Sequence, residues 1–248
     1  MSQTLDRGLQ ILELLGQRPR RVWEIAQELE VHDSTALRLL HTLRGRGFVH
    51  LESDGTYRLG GTMFRLANHA LEGIDLRDVA RPHMERLRER CGETVHLGIL
   101  ESRQVIYIQK VEAKHPVRMY SRIGAVAPLH CTGLAKSILM ATDPETRSQL
   151  LEGYSFTPFT DRTLRSEEEL IADLEKSVDR GFTRDDEEHE TGIHCIAAPV
   201  LGADGLPAAA MSISVPLSRV PRSSLLELAP ALTQTAQELS ADLGYRPG

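Results

Sequence analysis

Apolar residues recur at helical spacing in two short stretches near the N-terminus, with a few polar residues between them. The two apolar faces consist of Val22, Ile25, Ala26 and Leu29, and of Ala36, Leu39, Leu40 and Leu43. Residues three and four apart share one side of an α-helix, so each stretch predicts a short amphipathic helix. Glu30-Val31-His32 is a tight connection, and Asp33 or Ser34 is placed to cap the second helix. Two short helices joined this closely predict a helix-turn-helix.

A two-stranded hairpin is predicted directly after the second helix. Its strands are Phe48–Leu51 and Tyr57–Leu59, and Asp54-Gly55 supplies the turn between them. An earlier helix is predicted from the apolar stripe Leu5, Leu9, Leu12 and Leu15, with a stop signal at Gly16 and Pro19. Three helices followed by a hairpin predict a winged helix-turn-helix domain over residues 1–60.

The other side of the second helix is polar and suits a nucleic acid. It carries Ser34, Thr35, Arg38, His41 and Thr42. Hydroxyls near a helix N-terminus can approach phosphate, and a long donor such as Arg38 can reach a base edge. Arg21 precedes the first helix of the pair, and Arg58 lies on the wing, where a phosphate or minor-groove contact is expected. The alternative is an ordinary helical hairpin with a solvated polar face, and the wing favours the DNA-binding interpretation.

The overall charge of −6 is unevenly distributed along the 248 residues. Residues 1–73 contain nine arginines and nine acidic residues, so this part is neutral, and the rest of the chain carries the whole deficit. The arginines cluster at Arg18, Arg20 and Arg21, and again from Arg38 to Arg58. A neutral domain with a basic face can bind DNA while an acidic second domain stays away from it. Solubility is the alternative explanation of these clusters.

The second half of the chain mixes helices and strands. An apolar face on residues 61–75 predicts a linker helix that could pair with its copy in a dimer, and residues 76–248 predict one α+β domain. Its predicted helices begin at Leu76, Gly133, Ser166 and Leu225, the third with a capping box formed by Ser166 and Glu169. Its predicted strands are Thr94–Leu100, Gln104–Val111, Val117–Arg122, Ile196–Leu201 and Ala208–Val215.

Several polar residues of this second domain could converge on a ligand. Ser212 and Ser214 are two apart on one strand and therefore face the same way. The helix that starts at Gly133 and Leu134 offers free N–H groups, which favour an anion such as a carboxylate. Asp185 and Cys195 could flank the remainder of a small molecule. Alternatively, the two serines line a solvated strand face and Cys195 is a small buried side chain.

The chain resembles the IclR family of bacterial transcriptional regulators from end to end. The resemblance is carried by LDRGLQILELL, DSTALRLLHTLRGRGFV, YRLG, GETVHLGIL, VIYIQKVE, MYSRIGAVAPLHCTGLAKSIL, GFTRDDEEHETGIHCIAAPV and AAAMSISVP. It implies a winged-helix domain and a GAF-like effector-binding domain, in homodimers or dimers of dimers on palindromic operators of double-stranded DNA. It also implies control, usually repression, of catabolic genes.

The resemblance implies an effector site as well. Family members that bind small keto acids use positions matching Gly133, Leu134, Asp185, Cys195, Ser212 and Ser214. The MYSRIG and HCTGLAK segments are most similar to the branch that responds to sugar acids such as 2-keto-3-deoxygluconate. Three residues depart from the family pattern, and they are Asp33 for lysine, Trp23 for a small polar residue, and His194 for arginine.

Two other functions remain open as alternatives. The pairs His130-Cys131 and His194-Cys195, with His189, supply ligands suited to Zn²⁺, so a metal or redox sensor is possible. An enzyme with a cysteine nucleophile would need a motif that the sequence lacks, such as a nucleophile elbow or HExxH, so we expect no catalysis. The acidic run Asp185–Glu188 is expected to be solvated or to cap a turn.

The remaining sequence features bear on disulfides, cofactors and cellular location. Three widely spaced cysteines provide no disulfide framework and no CxxC metal knuckle, and no motif calls for a cofactor. The polar N-terminus lacks the apolar core of a signal peptide, and no apolar run reaches the ~20 residues of a membrane helix. We therefore expect a cytoplasmic protein that does not contact a membrane.

Overall fold

The computed structural model describes residues 3–66, 75–113 and 122–247, which fall into two compact units. The units are Met1–Asp75 and Leu76–Gly248, so the division falls where the second predicted domain begins. The described residues form one hydrophobic core in the first unit and two in the second. None of the helices in the described part of the chain is long and apolar enough to cross a membrane.

The first unit is the predicted winged helix-turn-helix. It contains α1 (Gln3–Gln17), α2 (Val22–Glu28), α3 (Asp33–Gly45), β1 (Val49–Leu51) and β2 (Tyr57–Leu59). The two strands pair antiparallel across the Asp54-Gly55 turn, and residues 61–66 are again helical. Side chains from all three helices and both strands form its core, including Ile11, Ile25, Leu40, Val49 and Tyr57. Of the linker helix predicted over residues 61–75, residues 67–74 lie outside the described part of the chain.

Two details of this unit differ from the sequence prediction. The apolar stripe of α1 was placed wrongly, because Leu5 is 64% exposed and Leu9 is 52% exposed, while Ile11 and Leu15 are buried. Only the C-terminal half of α1 reaches the core. Neither Asp33 nor Ser34 caps α3, since the helix begins at Asp33 and His32 is the capping residue. Asp33 still stabilises the helix by placing a negative charge in its first turn.

The second unit is an antiparallel sheet with helices on both faces. Its helices are α4 (Leu76–Cys91), α5 (Gly133–Ala141), α6 (Pro144–Leu151), α7 (Glu167–Arg180), α8 (Arg222–Leu226) and α9 (Ala229–Asp242). Its strands are β3 (Thr94–Glu101), β4 (Gln104–Val111), β5 (Val126–Ala127), β6 (Thr183–Asp186), β7 (Ile193–Leu201) and β8 (Pro207–Pro216). The sheet order is β5-β4-β3-β8-β7-β6. The α+β prediction for this unit is therefore confirmed.

Strand alternation gives the two faces of the sheet different partners. In the central strand β8, Met211, Ile213 and Val215 join the core formed with α4, α8 and α9. Ala210 belongs to the core formed with α5, α6 and α7. Side chains two residues apart along a strand share a face, so Ser212 and Ser214 point toward the α5 side. The α5 side is where the polar candidates converge.

Several elements of the second unit were missed or described differently. The sequence prediction omitted α6, although Asp143 caps it and Pro144 occupies its first turn, and it omitted β5 and β6. The predicted closing helix is two helices, α8 and α9. Ser166 Oγ accepts a hydrogen bond from Glu169 N at 3.3 Å, but Glu169 Oε2 accepts from Arg165 N, so the predicted capping box is only half formed. The predicted strand Val117–Arg122 lies outside the described residues except for Arg122.

Candidate ligand cavity and nucleic-acid interface

The polar side of α3 faces outward. Ser34, Arg38, His41 and Thr42 are exposed, and Thr35 is half-buried. Thr42 Oγ1 donates to the Arg38 carbonyl oxygen at 3.0 Å, so this hydroxyl is partly engaged by its own helix. The opposite side of α3 is fixed in the core by Ala36, Leu39 and Leu40. A recognition helix needs this combination of a buried anchor and a free polar face.

The N-terminus of α3 is open to an anion. His32 occupies the capping position but its side chain accepts no hydrogen bond from the first turn. The first N–H groups of a helix have no intrahelical acceptor, and they carry the positive end of the helix dipole. Ser34 lies in this first turn and is exposed. The free N–H groups and the Ser34 hydroxyl can donate to a phosphate group, while the Asp33 carboxylate in the same turn opposes its approach.

The arginines of this unit do not all belong to one basic surface. Arg20 is only 8% exposed and donates to Leu14 O, Gln17 Oε1 and Glu28 Oε1, so it joins α1 to α2 and is unavailable to DNA. Arg21 and Arg38 are exposed. Arg58 is half-exposed but forms an ion pair with Glu52, which lies near the base of the wing turn.

In the second unit, a cavity of about 170 Å³ lies between the α5 side of the sheet and the start of α5. All six predicted effector residues line it, namely Gly133, Leu134, Asp185, Cys195, Ser212 and Ser214. Ser212 is 2% exposed and Ser214 is 4% exposed, so the alternative of a solvated strand face is wrong. The acidic run does not diverge into solvent either, since Asp185 and Glu188 are both buried.

Sequence reasoning missed several cavity residues. They are His96 on β3, Tyr107 on β4, Thr132 before α5, and His189 and Glu190 after β6. Of these residues, His96 could have been noticed in the sequence, because it is a polar residue at an interior position of an otherwise apolar strand. Its role depends on β3 lying beside β8, where His96 pairs directly with Ser212. That strand order could not be read from the sequence.

A chain of hydrogen bonds crosses the floor of the cavity. Cys195 Sγ donates to Ser214 Oγ at 3.1 Å, and Ser214 Oγ lies 3.3 Å from His96 Nδ1. The His96 ring meets Tyr107 edge-on, with 5.3 Å between ring centroids. Burial lowers the pKa of His96 to about 3 and raises the pKa of the Cys195 thiol well above its ordinary range. These groups therefore offer uncharged donors and acceptors at neutral pH.

Asp185 is the acidic wall of the cavity. Its Oδ1 accepts hydrogen bonds from Glu188 N at 2.8 Å and from His189 N at 3.4 Å. The pKa of Asp185 is raised to about 8, mainly by burial and secondly by the nearby Glu188 carboxylate. A protonated Asp185 would be a hydrogen-bond donor at neutral pH. Among the described lining residues there is no lysine or arginine, so any anion in the cavity would rely on neutral donors and the N–H groups of α5.

The two His-Cys pairs of the metal alternative do not assemble into a ligand set among the described residues. His130 is held by Tyr154 Oη and by the Thr157 carbonyl oxygen. Possible ligand atoms do come together at Asp186, Glu187 and His194. The two carboxylates of that group already accept hydrogen bonds from Arg222, so we assign it to an ion-pair network.

Comparisons with known proteins agree with this architecture. Residues 4–53 match the IclR helix-turn-helix domain, and residues 68–241 match the bacterial transcriptional regulator IclR C-terminal domain. The chain is 35% identical to the HTH-type transcriptional regulator XynR of Escherichia coli K12, over 98% of both chains. It is 36% identical to the regulator KdgR of the same organism, over 95% of this chain and 90% of that one.

A solved structure of a related repressor has the same fold. The repressor BlcR of Agrobacterium tumefaciens matches with a TM-score of 0.81 and 27% identity, over 100% of this chain and 99% of that one. Of the residues that depart from the family pattern, His194 pairs with Asp186 through Nδ1 and Oδ1 at 2.8 Å, and Trp23 lies exposed on α2. The chain is a DNA-binding transcriptional regulator that belongs to the IclR family.

Proposed function

We propose that the chain is a homodimeric or dimer-of-dimers repressor that releases a palindromic operator when a compact carboxylic acid occupies the cavity of its second unit. The observation that carries the proposal is the convergence of the α5 N-terminus, Asp185, Cys195, Ser212 and Ser214 on one cavity. The role needs no chemical step, so we propose a regulator without enzymatic activity that acts in the cytoplasm, where its operator is.

The cavity limits the size and chemistry of the effector. A cavity of about 150 Å³ in another protein holds benzene, so about 170 Å³ suits a molecule of roughly six to eight non-hydrogen atoms. A carboxylate would accept from the N–H groups of Gly133 and Leu134 and from the Ser212 hydroxyl. Asp185 and the side of the cavity lined by His96 would contact a keto or hydroxyl oxygen of the effector.

DNA binding would place one α3 helix of each protomer in successive major grooves, about 34 Å apart or a multiple of that distance. Arg38 would read a base edge, with His41 and Thr42 beside it, while Ser34, Thr35, Arg21 and Arg58 would contact phosphates. Effector binding would favour a dimer geometry with a different helix spacing. The two sites need a coupling free energy of only about 1–3 kcal/mol for effective release.

One experiment tests both halves of the proposal. The full-length protein would select binding sites from random duplex DNA at fixed salt, because affinity for DNA depends on ionic strength. An enriched palindrome is expected. A panel of two- to six-carbon keto, hydroxy and sugar acids would then be screened for release of that DNA. Ser212→Ala with Ser214→Ala should abolish release and leave DNA binding intact, and release by the double variant would refute the cavity assignment.

Arg38→Ala should weaken binding to the selected operator and flatten the sequence preference. Loss of an arginine that contacts a base edge typically costs about 1–3 kcal/mol, or roughly 5- to 150-fold in affinity. Fluorescence anisotropy with operator and scrambled duplexes measures both effects. Arg81→Ala is the matched control, because it removes the same exposed charge from α4 in the other unit. Equal affinities of Arg38→Ala and the control for the operator would show that α3 does not read the bases through Arg38.

Glu52→Gln should strengthen DNA binding. The Glu52 carboxylate pairs with the guanidinium of Arg58, and this pair must open before Arg58 contacts phosphate. An exposed ion pair is worth up to about 1 kcal/mol, so we expect a gain of about two- to fivefold and a steeper salt dependence. The double variant with Arg58→Ala should lose the gain. If it binds as well as Glu52→Gln alone, the improvement comes from general charge and not from Arg58.

A further inference from the structure

Lys136 is a fully buried lysine beside the cavity, and the proposed function makes no use of it. It lies in α5 with none of its side chain exposed. Its Nζ donates to Asp173 Oδ2 at 2.8 Å and to both oxygens of Glu188, at 2.8 and 2.6 Å. A buried charge is costly unless it is paired, and these two carboxylates provide the pairing. The cluster thus ties α5 both to α7 and to the segment after β6.

Glu188 connects this ion-pair cluster to the wall of the cavity. While its side chain is held by Lys136, its backbone N donates to Asp185 Oδ1 at 2.8 Å. Its carbonyl oxygen accepts from Thr163 Oγ1 at 2.6 Å, and its Oε1 accepts from Asp186 N at 3.3 Å. Glu187, just before it, has a left-handed backbone with φ of +64°. The side chain and the main chain of Glu188 are therefore both fixed around Asp185.

We propose that Lys136 and Glu188 are positioning residues of the effector cavity. Their ion pair holds the Glu188 and His189 N–H groups on one oxygen of Asp185, so that the other oxygen is left for the ligand. The role in binding rests on the proposed function of the cavity. The geometry around Asp185 does not, and it can be tested without any ligand.

The charge of Glu188 adds a measurable signature to this geometry. Its carboxylate raises the pKa of Asp185, and the Lys136 ammonium opposes that effect more weakly. The other titratable groups that face Asp185 from neighbouring elements are His96, Tyr107, Cys131, His189, Glu190 and Cys195. Removing the Glu188 charge should therefore let Asp185 ionise at lower pH. Asp173 contacts Lys136 from α7 and has no such link to Asp185.

Glu188→Gln and Asp173→Asn form a matched pair for the test. Each removes one carboxylate from Lys136 and one negative charge from the chain. The full-length protein would be labelled with ¹³C at aspartate carboxyl carbons and titrated by NMR, with Asp185→Asn identifying the signal. Glu188→Gln should lower the Asp185 titration midpoint by about one pH unit or more, and Asp173→Asn by less than about half of that.

Equal shifts in the two variants, or no shift in either, would overturn the proposal. Lys136→Arg keeps the positive charge and should stay near the wild-type midpoint. If Glu188→Gln does not fold, Lys136→Met with Glu188→Met replaces the pair by apolar side chains of similar length and should lower the midpoint by a smaller amount. Failure of the proposed function shows separately, as a wild-type chain that no acid of the panel releases from DNA.

Discussion

Gly60→Ala should abolish operator binding, although Gly60 contacts no DNA in the proposed complex. A Cβ at this position would lie 2.3 Å from the Gly47 carbonyl oxygen and 3.1 Å from the Phe48 carbonyl carbon. Both are backbone atoms, so no side chain can turn away to relieve the clash. The same site is held by a hydrogen bond from Gly60 N to Phe48 O at 2.7 Å. The wing and the end of α3 must therefore separate to admit one methyl group.

We expect a loss of at least about 2 kcal/mol from the free energy of unfolding of the first unit, as for other overpacked sites. Circular dichroism melts of the full-length protein and anisotropy with the operator measure stability and binding. Gly61→Ala is the matched control, because a Cβ added there would meet no atom within 4 Å and the residue begins the helical residues 61–66. It should bind normally. A Gly60→Ala chain with wild-type stability would show that the wing packs differently.

The sequence predicted local elements well because their signals are local. The Asp54-Gly55 turn and the helical spacing around Leu40 identified the winged helix, and those elements are confirmed. The errors arose where long-range packing decides the outcome. Leu5 and Leu9 satisfy the helical pattern as well as Ile11 does, yet only the position of the core determines which of them is buried.

The cavity residues also fall into those that the sequence could predict and those that depend on long-range packing. The alternation of Ser212 and Ser214 is a property of one strand and was readable from the sequence. The contribution of His96 depends on which strand lies beside β8, and the contribution of Glu188 depends on its contact with Lys136, 52 residues earlier in the chain. An acidic run such as Asp185–Glu188 looks solvated in sequence because its buried cation is distant. Such pairs become visible only in the folded structure.

Asp185→Asn should stabilise the chain at pH 8 and remove much of the loss of stability between pH 7 and pH 8. An ordinary aspartate has a pKa near 3.8, whereas burial and Glu188 raise the pKa of Asp185 to about 8 in the folded chain. Between these values the folded state retains a proton that the unfolded state has lost. The Asp185 contribution to stability therefore falls as the pH rises from about 4 to about 8, by at most about 1.4 kcal/mol per pH unit. Buried His96, whose pKa is lowered to about 3, makes the opposite contribution below about pH 6.5, so the Asp185 effect is isolated above that pH.

Urea unfolding of the full-length protein at pH 7 and pH 8, above the range in which the buried histidines contribute, measures this difference. The wild type should lose stability between the two values, and Asp185→Asn should lose much less, because its amide can still accept from Glu188 N without ionising. Asp179→Asn, an exposed position on α7, controls for the change in net charge. Equal pH dependence in wild type and Asp185→Asn would mean that Asp185 is already ionised in the folded protein.

The same proton governs the affinity for an acid effector. A carboxylate entering the cavity would meet a neutral Asp185 below pH 8 and a second negative charge above it. Wild-type affinity for the releasing acid should therefore fall about tenfold per pH unit above pH 8, because each binding event then requires uptake of one proton. Asp185→Asn should bind with an affinity nearly independent of pH from 6 to 9. Calorimetry in buffers of different ionisation enthalpy counts that proton directly, and a count of zero at pH 9 would exclude a neutral Asp185 from the bound state.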